Sequence, residues 1–158
     1  MDFLAGMYSK EAIREVTVAD VLHAPNSVEL FRMYAEECSL PELGSIAPTD
    51  ETYANLSRAG MTTLAAYDGE RLVGFATLLT YVVPHYGKKI AATESIFIAE
   101  KYRARMWRSL RDAIVEFGKN NDCAAILYSA PTGSRFSRML SLSSRYRHTN
   151  DVFLRNLQ

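Results

Sequence analysis

The sequence predicts an α/β fold of the α+β kind, a mixed and mostly antiparallel sheet flanked by helices, in one domain over residues 1–158. Three observations carry that prediction. Strand-like patterning from Met61 to Ala99 is interrupted only at Asp68-Gly69 and around Pro84-His85-Tyr86-Gly87, which reads as a three-strand meander joined by tight turns. Helical spacing fills the chain before the meander and returns at Arg103 after it. With 48% hydrophobic and 23% charged residues, the 158-residue chain matches a soluble globular domain able to bury about two thirds of its unfolded surface.

Each element has its own local reason. Val16-Thr17-Val18-Ala19-Asp20-Val21 alternates apolar and polar residues and predicts a first strand. Asn26-Ser27-Val28-Glu29 reads as a cap with an acid three residues on, and Val28, Phe31, Ala35 and Cys38 recur at helical spacing, so a helix is expected over 26–38. Thr49-Asp50-Glu51 opens a shorter helix that ends at Gly60, a residue suited to a left-handed cap. The meander strands follow at 61–67, 72–83 and 90–99.

From Arg103, Met106, Leu110, Ala113, Ile114 and Phe117 form one apolar face, opposed by Arg105, Arg108, Asp112, Glu116 and Lys119. Ala124 to Ser129 is nearly all apolar and predicts a strand buried on both faces. Pro131-Thr132-Gly133-Ser134 opens another helix with Phe136, Met139 and Leu140 inward, and 151–157 predicts a closing strand. The expected order is β-α-α-β-β-β-α-β-α-β.

Composition narrows the function. The formal net charge is zero, so no global field draws the chain to nucleic acid or membrane, and nucleic acid is not an expected partner. The longest apolar run, around Phe75 to Pro84, is too short to cross a bilayer as a helix. Met1 to Lys10 carries an early acid and no apolar core of signal-peptide length, so a cytoplasmic protein is expected. Cys38 and Cys123 lack metal-type spacing and read as buried reduced thiols. With no metal-ligand cluster, P-loop or serine triad in the sequence, no metal is expected.

The strongest charge feature is a turn with Lys101, Arg103, Arg105, Arg108 and Arg111. Cations at a helix start oppose its dipole, and an anionic partner such as phosphate accounts for them. A solvated helix face is the other reading. Nucleic-acid phosphate would supply the same charge.

Glu94-Ser95-Ile96-Phe97-Ile98-Ala99-Glu100-Lys101-Tyr102-Arg103 resembles the E-x-L-x-V-x-P-x-Y-R of the GNAT superfamily of acyl-CoA-dependent N-acetyltransferases. The element order is similar over nearly the whole chain, and the chain is also similar to small phage-encoded members of that superfamily. Arg147-His148-Thr149 through Leu157 resembles the strand after the family's Gly-Phe element, with Arg145-Tyr146 in its place. The resemblance implies an N-acetyltransferase that takes acetyl-CoA as co-substrate and an amine acceptor, protein or small molecule.

It implies that the pantetheine arm lies along Phe97, Ile98 and Ala99, and that the pyrophosphate meets Arg103, Ala104, Arg105, Met106, Trp107, Arg108 and Ser109. Glu94 is the implied general base. The leaving thiolate's acid is open among Tyr128, Ser129 and Tyr146. The sequence departs from the family at the pyrophosphate turn, where the expected glycines are absent. Main-chain donors survive that change, whereas close approach and permissive φ do not, and arginine side chains are expected to make up part of the loss. The alternative is a GNAT-fold binding module without turnover. Exposed sheet edges leave a homodimer open.

Overall fold

The structure, a computed structural model, describes residues 12–157, so the reading of Met1 to Lys10 falls outside the described residues. Five strands, β1 (Ile13–Val16), β2 (Thr62–Asp68), β3 (Arg71–Val83), β4 (Lys88–Ile98) and β5 (Ala125–Leu127), lie side by side in chain order. All neighbours are antiparallel except β4 and β5. The β2–β3 hairpin turns through Gly69 and Glu70, with Gly69 at φ 61°, a conformation that glycine adopts without strain.

Helices cover both faces. On one lie α1 (Val18–Leu22), α2 (Ser27–Cys38) and α3 (Asp50–Arg58), and α4 (Arg103–Asn120) crosses the other. Leu64, Ala76, Leu78, Ala91 and Ile98 pack against Met106, Leu110, Ile114 and Phe117 of α4. Opposite them, Ala65, Phe75 and Phe97 pack with Val21 and Leu30 beneath α1 and α2. The α4 face is the one its spacing predicts.

Four expectations are corrected. The first strand is Ile13–Val16, and Val18–Leu22 is helical, because Thr17 and Asp20 form a reciprocal capping box and Val18 and Val21, three apart, are both buried. On α2 the buried line runs through Ser27 and Leu30, leaving Val28 84% exposed, while Asn26 spends its amide on the Leu72 backbone instead of capping. β5 shrinks to three half-exposed residues because no further strand covers its outer edge. Residues 151–157 form no strand, and Val152 and Phe153 stand about 90% exposed.

The observed order is therefore β-α-α-α-β-β-β-α-β-α, followed by an extended tail. The final helix, α5, spans Arg135–Ser141, with Phe136 and Leu140 half-buried but Met139 exposed. At the end of α3, Gly60 has φ 91°, and the amides of Gly60 and Met61 bond back to Ser57 and Leu56, the expected left-handed stop. Cys38 and Cys123 are free and half-buried, and burial pushes the Cys38 thiol up to about 11.

Candidate active site

β4 and β5 pair only through Ile90, Ala91 and Ala92, opposite Ala125, Ile126 and Leu127. Beyond that point Thr93 occupies the junction: its Oγ1 accepts from the Ser129 amide at 2.9 Å and donates to the Leu127 carbonyl at 3.4 Å. A side chain thus replaces the next rung, and β4 continues to Ile98 without a strand partner on that side among the described residues. The Ala99 amide bonds to the Val73 carbonyl, so strand alternation turns the backbone groups of Ile96 and Ile98 the other way, onto the open edge, where the Ile98 carbonyl is taken by Arg103 Nε. An extended chain with amide groups can add to such an edge.

The same strand carries Glu94. The β3–β4 register shifts between Thr77 and Leu78, which face Ser95 and Thr93, so Glu94 is the extra residue of a bulge. Bulges re-aim side chains, and here the carboxylate turns beneath α3. Its Oε2 accepts from Thr77 Oγ1 at 2.7 Å and from the Tyr53 hydroxyl at 3.4 Å. Burial, with Glu94 beside it, pushes Tyr53 up to about 12, and burial likewise raises Tyr34. Both tyrosines are neutral donors throughout the physiological range.

A 3-10 turn over Glu100–Tyr102 then delivers the chain to α4. The first turn of α4 has no side-chain cap and no acidic residue; the Arg103 amide donates to the Glu100 carbonyl, and the amides of Ala104 to Met106 are the ones left at a helix start that favours an anion. Of the arginines, Arg103 donates from Nε to the Ile98 carbonyl at 2.8 Å and pairs with Glu37, and Arg105 pairs with Asp68 at 2.7 Å. Arg108 has no partner among the described residues. Side chains on a helix lean toward its N-terminus, so Arg108 covers the turn bearing small, exposed Ala104.

The remaining candidates are distributed by packing. Met106 is 2% exposed in the α4 core, so only its backbone is available to a ligand, and Ser109 is half-buried. Trp107 stands edge-on to Phe136 at 5.2 Å and Tyr128 at 6.4 Å between ring centres. Phe97 is buried under α2, and Ala99 is buried at the end of the strand. Glu94 and Tyr128 lie on opposite faces of the sheet, the first under α3 and the second against the α4 core. The Tyr128 hydroxyl has no hydrogen-bond partner among the described residues, and burial raises it. Ser129 is exposed, holding the strand junction through its amide.

Sequence reasoning missed Thr77, Thr93 and Tyr53. Polar residues inside otherwise apolar strands signal the two threonines. Tyr53 has no local signal, since it meets Glu94 from 41 positions away.

The fold that carries this frame is shared with solved acetyltransferase structures. A ribosomal-protein-alanine N-acetyltransferase from Brucella melitensis biovar Abortus 2308 superposes with a TM-score of 0.62 at 19% identity, over 90% of this chain and 96% of that one. An aminoglycoside acetyltransferase from an uncultured soil metagenomic sample gives 0.69 at 14% identity, over 92% and 95%. AAC(6')-Iy, in complex with the bisubstrate analog CoA-S-monomethyl-acetylneamine, gives 0.63 at 17% identity, over 92% and 97%. No family model matches the sequence, and neither does any curated protein. The chain has the GNAT fold. Among the described residues no helix is long and apolar enough to cross a membrane.

Proposed function

We propose that the chain is a cytoplasmic N-acetyltransferase that passes acetyl from acetyl-CoA to an amine by direct attack. The observation that carries this reading is the β4 edge at Ile96 and the Ile98 amide, unpaired among the described residues and placed between the bulged Glu94 and the uncapped start of α4. A pantetheine arm supplies amides that such an edge can pair, and a pyrophosphate suits the open amides at Ala104 to Met106. Ala104 leaves space beside those amides, and Arg108 is the cation free to meet the charge, which answers the absence of glycine.

In the reaction, the amine nitrogen bonds to the acetyl carbon and its proton passes to Glu94. The carbon–sulfur bond then breaks and the thiolate leaves, taking up a proton. On this reading an edge amide near Ile98 is the donor to the developing oxyanion. Tyr128, Ser129 and Tyr146 remain the candidate donors to the thiolate. Burial makes the Tyr128 hydroxyl a poor acid, so its contribution there is a hydrogen bond.

A second reading, a binding module without turnover, is favoured by one observation: Arg103 and Arg105 are already paired within the chain. Thermal melts with acetyl-CoA, CoA and ADP separate the two. Acetyl-CoA at ~100 times its Kd is expected to stabilise the fold by about 2.7 kcal/mol. With a panel of polyamine, aminoglycoside and peptide amines, thiol release is expected and Glu94→Gln should lower it about a hundredfold. No melt shift at millimolar ligand, with no thiol release, refutes the enzyme in favour of the module.

A further inference from the structure

Glu94 has two carboxylate oxygens, and they are treated unequally. Both protein donors, Thr77 Oγ1 at 2.7 Å and the Tyr53 hydroxyl at 3.4 Å, go to Oε2. Oε1 has no partner among the described residues, on a residue that is solvent-exposed. The hydrogens behind Thr77 can be placed by counting. A hydroxyl has one hydrogen, and Thr77 gives its own to Glu94. Its contact with Ser95 Oγ at 2.5 Å must therefore run from Ser95 to Thr77. The Ser95 amide donates to the same Thr77 oxygen at 3.1 Å. Tyr34 of α2 faces Ser95 from the other side.

Thr77 is thus a fully used relay whose lone pairs are occupied and whose hydrogen has one acceptor. Chains of hydroxyls aligned in this way polarise one another.

We infer that Thr77, backed by Ser95 and assisted by Tyr53, is a positioning residue that pins Oε2 of Glu94 and leaves Oε1 as the atom that receives the amine's proton. The inference rests on the N-acetyltransferase reading for its proton-transfer role, and on geometry alone for the pinning. A carboxylate held by one oxygen cannot rotate freely about its terminal bond, so Oε1 keeps a constant direction. Of the titratable groups, Tyr53 from α3 and Tyr34 from α2 bear on this carboxylate, and both are neutral, with only Tyr53 bonded to it.

The test uses the free protein, so it does not depend on knowing the acceptor. In protein labelled with 13C at the glutamate side-chain carboxyl, the Glu94 resonance is assigned by its loss in Glu94→Gln and compared at neutral pH with that of a solvated glutamate. In wild type it is expected to stand apart from that position, because two hydroxyls donate to one of its oxygens. Thr77→Val is expected to move it most of the way to the solvated position. Thr77→Ser keeps the hydroxyl and should return the resonance to wild type.

Tyr53→Phe should move it the same way but less, in keeping with the longer contact. It leaves Thr77 and the Ser95 amide intact, and so carries the test if Thr77→Val fails to fold. A Glu94 resonance unchanged in folded Thr77→Val, or unchanged in Tyr53→Phe, overturns the inference. Absence of acetyl transfer to any amine of the panel would instead sink the enzymatic reading, and the resonance would still report whether Oε2 is pinned.

Discussion

Gly74 sits in β3 directly opposite Ile98, the last residue of the strand on which the candidate site is built. A Cβ placed on Gly74 would lie 2.7 Å from the Phe97 carbonyl oxygen and 3.0 Å from Ile98 Cγ1. Neither neighbour yields cheaply, because one is backbone and the other is a core side chain. Gly74→Ala must therefore push β3 and β4 apart by several tenths of an ångström. Overpacking of this kind costs about 1–3 kcal/mol, and the smaller chain entropy that alanine loses on folding recovers about 0.5–1. The expected net loss is about 1–2 kcal/mol, or a melting temperature lower by about 2–8 °C for a domain of this size.

Gly118 in α4 supplies the contrast. Its added Cβ would meet Ile126 Cδ1 at 3.2 Å, the end of a side chain that can turn aside, and alanine gains about 1 kcal/mol in helix propensity over glycine. Gly118→Ala should melt within about 2 °C of wild type, on either side. Scanning calorimetry of the two variants against wild type settles the point. If Gly74→Ala melts at or above the wild-type temperature, the close approach of β3 to β4 at the site is refuted.

Arg108→Ala should weaken CoA binding by about 1–2 kcal/mol, roughly five- to thirtyfold in Kd, and the difference should shrink at high salt; titration calorimetry at two ionic strengths checks both. Arg105→Ala, whose side chain is occupied by Asp68, should change CoA affinity less than Arg108→Ala does. Tyr128→Phe removes a buried hydroxyl without a described partner, and is expected to raise stability in urea by about 1 kcal/mol; a loss of stability would show that the hydroxyl is satisfied.

Asp20 is held below the ordinary carboxylate range by the Thr17 side chain and then the Thr17 amide. Its folded value lies under its unfolded one, so its contribution is present above the unfolded value near 3.9 and is lost as pH falls through the folded value. In Asp20→Asn the acid-side fall of stability should be shallower, and a pH series of urea melts that matches wild type would exclude the capping box as its source.

The sequence alone determined the parts of this protein whose causes are local. Hydrophobic period, caps and turn residues placed α2, α3, α4, α5 and the meander, since each depends on neighbours within a few positions. A motif spanning Glu94 to Arg103 was enough to raise the GNAT resemblance. Local pattern misled at Val16 to Val21, where alternation and a capping box compete over the same residues and burial of Val18 with Val21 decides for the helix.

The tail at 151–157 shows the limit of strand patterning. Alternation makes a segment fit for a sheet, but ladder partners come from elsewhere in the chain, and in this structure the segment has none. The site has the same character. That Glu94 turns under α3, that Tyr53 and Thr77 converge on one of its oxygens, and that Glu37 and Asp68 claim Arg103 and Arg105 all join residues 17 to 66 positions apart. No local propensity encodes such pairs, because they exist only once the sheet has brought the helices to its two faces.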